Sequence, residues 1–409
     1  MQNCWRRVAP MRACIGGSSG MMSSWMMRVM TDQRGTSAGP PVDPVGRRRT
    51  ERGWHGFWCR SGPGVHALAP FGRMLAALAR RRHRRHRAGL DRAWRAPVPV
   101  IVVGNVTVGG TGKTPFVIAL VEWLRQQGWR PGVVSRGHGG RRSREPLLLT
   151  GATTAAEAGD EAVLLAWRTE APVVVAADRP AAVRALLQQD VDIVISDDGL
   201  QHYGLARDVE IAMIDGLRGL GNGRCLPAGP LREPVERLDS VDLTVATAPV
   251  AAPVTGLTPW IMRLIPGGWV PAEPEALSGE AADSTGVGPE LRTGVAPLSA
   301  LPAGPVHAVA AIGNPERFFL TLEGLGIEVV AHAFSDHHVF RPRDLNFRAP
   351  WPIVMTEKDM MRCRAHWDAW PKSLRTRCIA LRVVAEVDDA LWSDIERRVA
   401  GLRTWGAQT

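Results

Sequence analysis

The part of the sequence best suited to chemistry is a glycine-rich loop that ends in lysine and threonine. Its residues are Thr107, Val108, Gly109, Gly110, Thr111, Gly112, Lys113 and Thr114. Glycines let successive backbone N–H groups turn toward one anion, the lysine reaches the outer phosphates, and the threonine hydroxyl can bind Mg²⁺. We therefore expect this loop to hold a nucleoside triphosphate.

A glycine-rich structural turn before a helix is the alternative interpretation of this loop. The standard phosphate-binding pattern has glycine five residues before Gly112, where this chain has Thr107. Lysine, however, occurs only at positions 113, 358 and 372 among 50 basic residues, so Lys113 runs against the bias of the composition. An apolar run before the loop and helical spacing of apolar residues after it also favour the phosphate site.

Two acidic segments are candidates for contacts with a metal or a hydroxyl group. Asp197 and Asp198 follow the apolar run 193–196. A carboxylate at the end of a strand beside the loop would hold Mg²⁺, whereas without the loop these residues would indicate only a turn. Asp160 and Glu161 open an apolar helical segment, where a favourable charge at a helix N-terminus is the simplest interpretation.

The remaining candidates are a histidine for proton transfer and an arginine for binding an anion. His337 lies between Asp336 and His338 after the apolar run 327–331, and a histidine beside an acid suits proton transfer. A metal site and a polar surface turn are the alternatives there. Arg232 lies in a loop with three prolines, 226–234, and is able to meet an anion.

The elements that position these residues alternate between strand-like and helical segments, first from residue 98 to about 249 and again from 306 to about 402. This alternation predicts an α/β fold with a parallel sheet wrapped by helices, of the P-loop NTPase type, and a second, smaller α/β lobe. The predicted divisions are 1–52, a disordered extension or a mis-assigned start; 53–95, a basic amphipathic segment; 96–267, the P-loop core; 268–305, a linker or insertion; and 306–409, the C-terminal lobe.

The net charge of +10 is concentrated in the first hundred residues, which hold 19 arginines and 4 acidic residues. Apolar residues recur at helical spacing just before the densest arginine run, 80–87; they are Leu68, Phe71, Leu75 and Leu78. This pattern favours an N-terminal amphipathic helix on an anionic membrane surface. A helix packed on its own domain and an RNA-binding segment are the alternatives.

Other bulk features narrow the class of protein. The sequence contains no run of about 20 apolar residues, so it predicts no transmembrane helix. The six cysteines form no close pair and show no metal-ligand spacing, which indicates neither a disulfide framework nor a zinc site. This usage of cysteine fits a reducing cytosol.

Taken in order, these segments resemble the tetraacyldisaccharide 4'-kinase family, the lipid A disaccharide kinases of Gram-negative bacteria. The resemblance extends over about residues 54–400. The matching segments are 103–115, 134–137, 159–161, 196–202, 226–234, 312–318, 336–338 and 356–359. Two positions depart from the usual family pattern: His138 replaces an aromatic residue, and Arg362 replaces a lysine.

The resemblance implies a peripheral, monotopic kinase on the cytoplasmic face of the bacterial inner membrane. It implies that ATP and Mg²⁺ are used to phosphorylate the 4' hydroxyl of a tetraacylated glucosamine disaccharide 1-phosphate. The implied partners are this lipid substrate and an anionic membrane surface, with no nucleic acid and no obligate protein partner.

The resemblance also implies roles for individual residues. It assigns ATP to Thr107–Thr114, catalysis to Lys113 and to the base pair Asp160 and His337, and Mg²⁺ to Thr114, Glu161 and Asp198. The residues it assigns to the acceptor substrate are Asn105, Arg136, Asp197, Gln201, His202 and Arg232. Two other functions remain alternatives: a P-loop kinase or ligase acting on a soluble metabolite, and an arginine-rich NTPase that binds nucleic acid.

Overall fold

The computed structural model describes residues 58, 62–141, 145–251, 258–273, 294–301 and 304–402. The predicted extension 1–52 and most of the predicted linker 268–305 lie outside these residues. The α-helices are α1 (Pro63–Arg87), α2 (Lys113–Gln126), α3 (Ala155–Ala158), α4 (Asp160–Thr169), α5 (Arg179–Leu186), α6 (Pro315–Gly324), α7 (Glu357–Arg364), α8 (Lys372–Arg375) and α9 (Asp389–Ala400).

The strands are β1 (Val100–Gly104), β2 (Pro131–Ser135), β3 (Leu147–Leu148), β4 (Val173–Val175), β5 (Ile193–Asp197), β6 (Val209–Asp215), β7 (Leu243–Thr247), β8 (Trp260–Pro271), β9 (Pro305–Ala310), β10 (Glu328–Ala333), β11 (Ile353–Thr356) and β12 (Cys378–Val387). All twelve belong to one sheet, in the order β10-β9-β11-β12-β8-β7-β6-β1-β5-β2-β4-β3.

Most neighbouring strands in this sheet are parallel, which confirms the predicted α/β class. β1 lies between β5 and β6 and pairs in parallel with both, so the carboxyl ends of these three strands meet at one edge of the sheet. Strands β1, β2 and β5 are buried along their whole length, as expected for a sheet covered by helices on both faces.

Three strands of the sheet were not predicted: the two-residue strand β3, β8 and β12. β8 runs past the predicted boundary at 267 as far as Pro271, and it pairs antiparallel with β12. Pro266, Gly267 and Gly268 interrupt the apolar pattern of β8, and the pairing shifts register between Arg382 and Val383. Because β8 also pairs with β7, this antiparallel ribbon joins the strands of the two predicted lobes into one sheet.

The basic N-terminal segment forms a helix, α1, that packs on the domain through small residues. Val65, Ala69, Gly72 and Ala76 are its buried positions. A Cβ on Gly72 would lie 2.8 Å from the backbone oxygen of Cys225, so the helix lies very close to the segment between β6 and β7 that contains Cys225. None of the helices in the described part of the chain combines the length and apolar character needed to cross a bilayer.

Candidate active site

The glycine-rich loop connects β1 to α2, as its sequence predicts. Gly112 has a φ of +80°, a conformation that favours glycine, and a Cβ at this position would lie 2.6 Å from Thr247 Cγ2. A Cβ on Gly110, by contrast, would meet no atom within 4 Å. The loop therefore packs against Thr247 at Gly112 and has open space beside Gly110. A loop that binds phosphate needs both features.

Lys113 is held at the mouth of the loop by two partners. Its Nζ donates a hydrogen bond to Asn105 Oδ1 at 3.0 Å and lies 3.4 Å from Asp198 Oδ1. Asn105 is fully buried, and its amide donates in turn to the backbone oxygen of Thr107 at 2.7 Å. Asn105 thus holds the side chain of Lys113 and the backbone of the loop through two hydrogen bonds.

The two aspartates after β5 have different environments. Asp198 has a φ of +50° and is paired with Arg232 at 3.0 Å. Burial disfavours its charged form, but the charges of Lys113 and Arg232 outweigh this and lower the pKa of Asp198 to about 2. Asp198 is therefore an ionised carboxylate in front of the loop.

Asp197, in contrast, is buried within the sheet. Its Oδ2 accepts a hydrogen bond from Ser135 Oγ at 3.2 Å, and among the described residues its Oδ1 has no hydrogen-bond partner. Burial, reinforced by the negative charge of Glu161, raises the pKa of Asp197 to about 6. The structure therefore places Asp198, and not Asp197, in the lining of the cavity beside the loop.

Asp160 and His337 come together although they are far apart in the sequence. The distance between Asp160 Oδ2 and His337 Nδ1 is 3.4 Å. Hydrogen bonding to Asp160 raises the pKa of His337. Burial acts to raise the pKa of Asp160, but the hydrogen bond from His337 and the charges of Lys358 and Arg362 hold it well below its usual range.

The backbone of His337 is in the left-handed region, with a φ of +58°. Its N–H donates to Asp336 Oδ1 at 3.0 Å and to the backbone oxygen of Ala311 at 3.2 Å. A non-glycine residue in this conformation costs on the order of 1–3 kcal/mol, and such strain is concentrated at functional sites. The turn after β10 therefore holds His337 in a backbone conformation that its two N–H hydrogen bonds help to fix.

Glu161, next to Asp160, forms an ion pair with Lys358. The distance between Glu161 Oε1 and Lys358 Nζ is 2.7 Å. Lys358 lies in the first turn of α7, which begins where β11 ends. The ion pair brings α4 and α7 together at the edge of the site.

One cavity of about 530 Å³ joins these groups. The predicted site residues that line it are Gly109, Gly110, Thr111, Gly112, Lys113, Thr114, Glu161, Asp198, Arg232 and His337. The lining also includes Leu264 of β8, which lies beside Gly112, and Phe318 of α6; both are apolar and suit the flat face of a base. The cavity thus offers a phosphate cradle, carboxylates, a histidine and an apolar wall in one space.

The remaining predicted residues lie around this cavity and are not part of its lining. Gln201 donates to the backbone oxygen of Asn105 at 3.1 Å and to Glu233 Oε2 at 2.9 Å. His202 follows it, and burial lowers the pKa of its imidazole to about 4. Arg136 borders a second cavity of about 320 Å³, and His138 borders both cavities. Thr107 and Val108 shape the start of the loop.

The donor groups in the cavity suit Mg²⁺ that arrives with a nucleotide. The Thr114 hydroxyl and the carboxylates of Glu161 and Asp198 are hard oxygen ligands that face the same space. In the described ranges, no group of three or more His, Cys, Asp or Glu side chains is arranged to hold a metal by itself. This combination fits Mg²⁺, which is usually held by one or two side chains together with phosphate oxygens and water.

Arg362 and Lys358 belong to the site but were not predicted as site residues. Arg362 contacts Asp160, and Lys358 contacts Glu161. For Lys358, the sequence contains a usable signal, because it is one of only three lysines and it follows a strand end. Arg362 does not stand out in this way, because almost all of the basic residues of this chain are arginines.

Comparison with known proteins identifies the family. The family model described as "Tetraacyldisaccharide-1-P 4'-kinase" (LpxK) matches residues 65–400. The chain is 48% identical over 309 residues to a tetraacyldisaccharide 4'-kinase of Alkalilimnicola ehrlichii, which covers 75% of this chain and 87% of that protein. It is 42% identical over 352 residues to the enzyme of the same name from Stenotrophomonas maltophilia, covering 85% and 96%.

A solved structure is also similar. The crystal structure of LpxK from Aquifex aeolicus in complex with ATP matches with a TM-score of 0.66 and 26% identity, over 82% of this chain and 99% of that chain. Sequence and structure therefore agree over most of the length of these relatives: the chain belongs to the tetraacyldisaccharide-1-P 4'-kinase family.

Proposed function

We propose that this chain transfers the γ-phosphate of ATP to the 4' hydroxyl of a tetraacylated glucosamine disaccharide 1-phosphate, a precursor of lipid A. The observation that carries the proposal is one cavity that is lined both by the loop Gly109–Thr114 and by His337. A kinase that acts on a sugar hydroxyl needs a phosphate cradle and a proton acceptor in one space, and membership of the family names the acceptor.

The loop and Lys113 hold and neutralise the triphosphate. Backbone N–H groups at the start of α2 would bind the phosphates, and the lysine is held in place by its hydrogen bond to Asn105. Phosphoryl transfer depends mainly on positioning and on neutralising charge that spreads over the transferred group. Lys113 supplies that charge, and Arg232, on the same cavity wall, supplies a second one.

Mg²⁺ would be held by Thr114, Glu161 and Asp198 together with the phosphates. When bound, the ion would supply positive charge that stabilises the charge developing during transfer. The ionised state of Asp198 and its position beside Lys113 support its role as the carboxylate that meets the metal. The buried Asp197 supports the strand end from which Asp198 projects.

The acceptor hydroxyl approaches from the side of the dyad formed by Asp160 and His337. His337 borders the cavity and Asp160 lies directly behind it, which supports removal of the hydroxyl proton by the pair. A well-placed base contributes about 10²- to 10⁴-fold to a reaction rate. Arg136, Gln201 and His202, which lie outside the lining of this cavity, are proposed to contact the sugar and phosphate of the acceptor.

We further propose that α1 binds the surface of the cytoplasmic face of the inner membrane. Its exposed face carries large apolar side chains: Phe71 is 57% exposed, Met74 58% and Leu78 54%. Leu68 and Leu75, which were predicted to share this face, are half-buried against the domain. Exposed arginines follow at the end of the helix, and each contributes on the order of 1 kcal/mol when it lies close to anionic lipid. Such a face would bring the cavity to a substrate that is itself a lipid.

The experiment that tests the proposed activity is a transfer assay with radiolabelled ATP and the tetraacylated disaccharide 1-phosphate in detergent micelles. A labelled lipid product phosphorylated at the 4' position supports the proposal. If ATP is consumed only with a soluble acceptor, or if no lipid is labelled, the proposed acceptor is wrong.

A further inference from the structure

A series of hydrogen bonds connects the phosphate loop to Tyr203, at some distance from the cavity. Asn105 accepts a hydrogen bond from Lys113 on its side chain, and its backbone oxygen accepts one from Gln201 Nε2 at 3.1 Å. The same nitrogen of Gln201 donates to Glu233 Oε2 at 2.9 Å. Glu233 Oε1 accepts from the hydroxyl of Tyr203 at 2.6 Å. Three residues thus join the lysine of the loop to Tyr203.

Tyr203 is also the point at which this series meets α1. It is the only tyrosine of the sequence, and it is 4% exposed. Its hydroxyl oxygen lies 3.3 Å from His83 Nδ1, and its ring centre lies 4.9 Å from that of His86. Because the hydroxyl proton is donated to Glu233, the contact with His83 is made by Nδ1–H, which donates to the hydroxyl oxygen. Both histidines belong to α1.

These histidines continue the face of α1 that packs on the domain. The buried and half-buried positions recur at helical spacing; among them are Val65, Ala69, Gly72, Ala76, His83 and His86. Phe71, Met74 and Leu78 are exposed instead. One face of α1 therefore contacts the domain along the length of the helix, while another carries the exposed apolar side chains.

We propose that Tyr203 is a positioning residue that links α1 to the phosphate loop, so that the helix supports Lys113 in addition to contacting lipid. This inference rests on the proposed function and gives α1 a part in ATP binding. In the described part of the chain, the lining of the cavity includes neither Tyr203 nor Glu233, so Tyr203 acts on the nucleotide through Asn105.

Glu233 is suited to this link because it is a carboxylate. It is 4% exposed, and each of its two oxygens accepts one hydrogen bond, whereas an amide could accept on one atom only. Arg237 Nε lies 3.8 Å from Glu233 Oε2 and supplies a positive charge to the buried carboxylate. Burial and the charge of Glu233 raise the pKa of Tyr203, so its hydroxyl keeps the proton that it donates.

The backbone of the segment that contains Glu233 also contacts both ends of the link. The N–H of Arg232 donates to the backbone oxygen of Val106, the residue before the loop, at 2.7 Å. α1 packs on the same segment at Cys225, close to Gly72. The side-chain link therefore accompanies a backbone connection between the helix and the start of the loop.

Titration calorimetry of the full-length protein with ATP and Mg²⁺, in detergent and without liposomes, tests the link. Tyr203→Phe keeps the ring that packs on α1 and removes the hydroxyl. We expect the Kd for ATP to rise about 3- to 10-fold, the range for one hydrogen bond, at unchanged stoichiometry. Glu233→Gln should have the same effect, because one of its two acceptors is lost. A loss of folded protein would instead lower the stoichiometry and leave the Kd unchanged.

Two comparisons separate a positioning role from a structural one. In an Asn105→Ala background, Tyr203→Phe should raise the Kd little further, because the link to Lys113 is already broken. Thr169→Val is the matched control for the loss of a buried hydroxyl. Thr169 is 2% exposed, and its hydroxyl donates to the backbone oxygen of Leu165 at 2.7 Å. This control should keep the wild-type Kd for ATP.

The α1 end of the link has its own matched pair of variants. His83→Ala combined with His86→Ala removes two contacts with Tyr203 and should raise the Kd for ATP about 2- to 5-fold, since the longer hydrogen bond is the weaker one. Arg84→Ala combined with Arg87→Ala changes two exposed residues of the same turns. It should leave the Kd for ATP unchanged.

A raised Kd in the tyrosine, glutamate and double-histidine variants, with no additivity to Asn105→Ala, supports the proposal. It is overturned if Tyr203→Phe and Glu233→Gln keep the wild-type Kd, or if the effect of Tyr203→Phe adds fully to that of Asn105→Ala. It is also overturned if the arginine pair weakens ATP binding as much as the histidine pair. A wild-type protein that binds ATP but phosphorylates no lipid would overturn the proposed acceptor and leave the link standing.

Discussion

Asp160 Oδ2 lies 3.4 Å from His337 Nδ1, and this contact joins the start of α4 to the turn after β10. Two segments that sequence patterns alone would assign to a helix N-terminus and to a polar turn are therefore one chemical unit. His337 borders the same cavity as the phosphate loop, and its pair with Asp160 is the basis of the first prediction.

Asp160→Asn and His337→Ala should each lower kcat by about 10²-fold or more, with little change in the KM for ATP, because a positioned base contributes about 10²- to 10⁴-fold. The double variant should be little worse than the worse single variant. Steady-state kinetics beside thermal melts tests this. If Asp160 only caps a helix, its loss costs about 1 kcal/mol of stability with kcat unchanged.

The pH profile of the Asp160→Asn variant gives a second, independent readout. Asp160 raises the pKa of His337 in the wild type. The base acts unprotonated, so activity falls as the pH drops below that pKa. Without the carboxylate the pKa of His337 falls, and the acid limb of kcat/KM should move to lower pH. An acid limb that stays at its wild-type pH would show that His337 is not the group that titrates.

Lys113→Ala should lower kcat/KM by about 10²- to 10³-fold or more with the fold intact, since the lysine neutralises charge that develops on the transferred group. Lys372→Ala is the matched control, because this lysine lies on α8 and does not border the cavity. Near-wild-type turnover in the Lys113 variant would contradict the assignment of the ATP site.

Alanine substitutions at two glycines of the loop should have different effects on the melting temperature. At Gly112, an alanine would be strained and would press on Thr247, so we expect both a lower melting temperature and weaker ATP binding. At Gly110 a methyl group meets no protein atom, so the melting temperature should be unchanged while ATP binding weakens. Calorimetric titration with ATP and Mg²⁺ beside thermal melts measures both. Unaltered ATP binding by Gly110→Ala would show that phosphates do not occupy the cradle.

The exposed face of α1 predicts the membrane-binding residues. Replacing Phe71, Met74 and Leu78 with serine should release the protein from anionic liposomes in flotation assays while ATP binding persists, because the apolar face supplies the burial. The arginines alone give an attraction that salt screens. The matched control replaces three exposed apolar residues of the C-terminal region with serine: Leu298, Leu325 and Val330. Full binding of the α1 variant at high salt would show that another segment anchors the protein.

Local patterns predicted the core of this fold well. The apolar runs 98–103, 132–135, 193–196 and 353–356 predict strands there, and β1, β2, β5 and β11 lie within about two residues of them. Each of these strands is buried on both faces, so its apolar run is continuous. The phosphate loop was equally predictable, since its glycines, lysine and threonine lie within one short segment. The helix that Asp160 and Glu161 open was also predicted, and it begins at Asp160.

The parts that escaped prediction depend on contacts between distant segments. Pro266, Gly267 and Gly268 interrupt the apolar pattern of β8, and its pairing with β12 shifts register beside them. The contact of Arg362 with Asp160 depends on the approach of α7 to α4, which no spacing in the sequence reveals. The distinction between Asp197 and Asp198 follows from the positive φ of Asp198, which turns its carboxylate to Lys113.

The measurement that tests the central claim most directly is the position of the phosphate on the product. The wild-type enzyme is incubated with ATP, Mg²⁺ and tetraacylated disaccharide 1-phosphate, and the product is analysed by mass spectrometry and phosphorus NMR. We predict one added phosphate, at the 4' position, that is absent when Lys113→Ala replaces the wild type. An unmodified lipid with the folded wild-type enzyme, or a phosphate at any other position, would contradict the account.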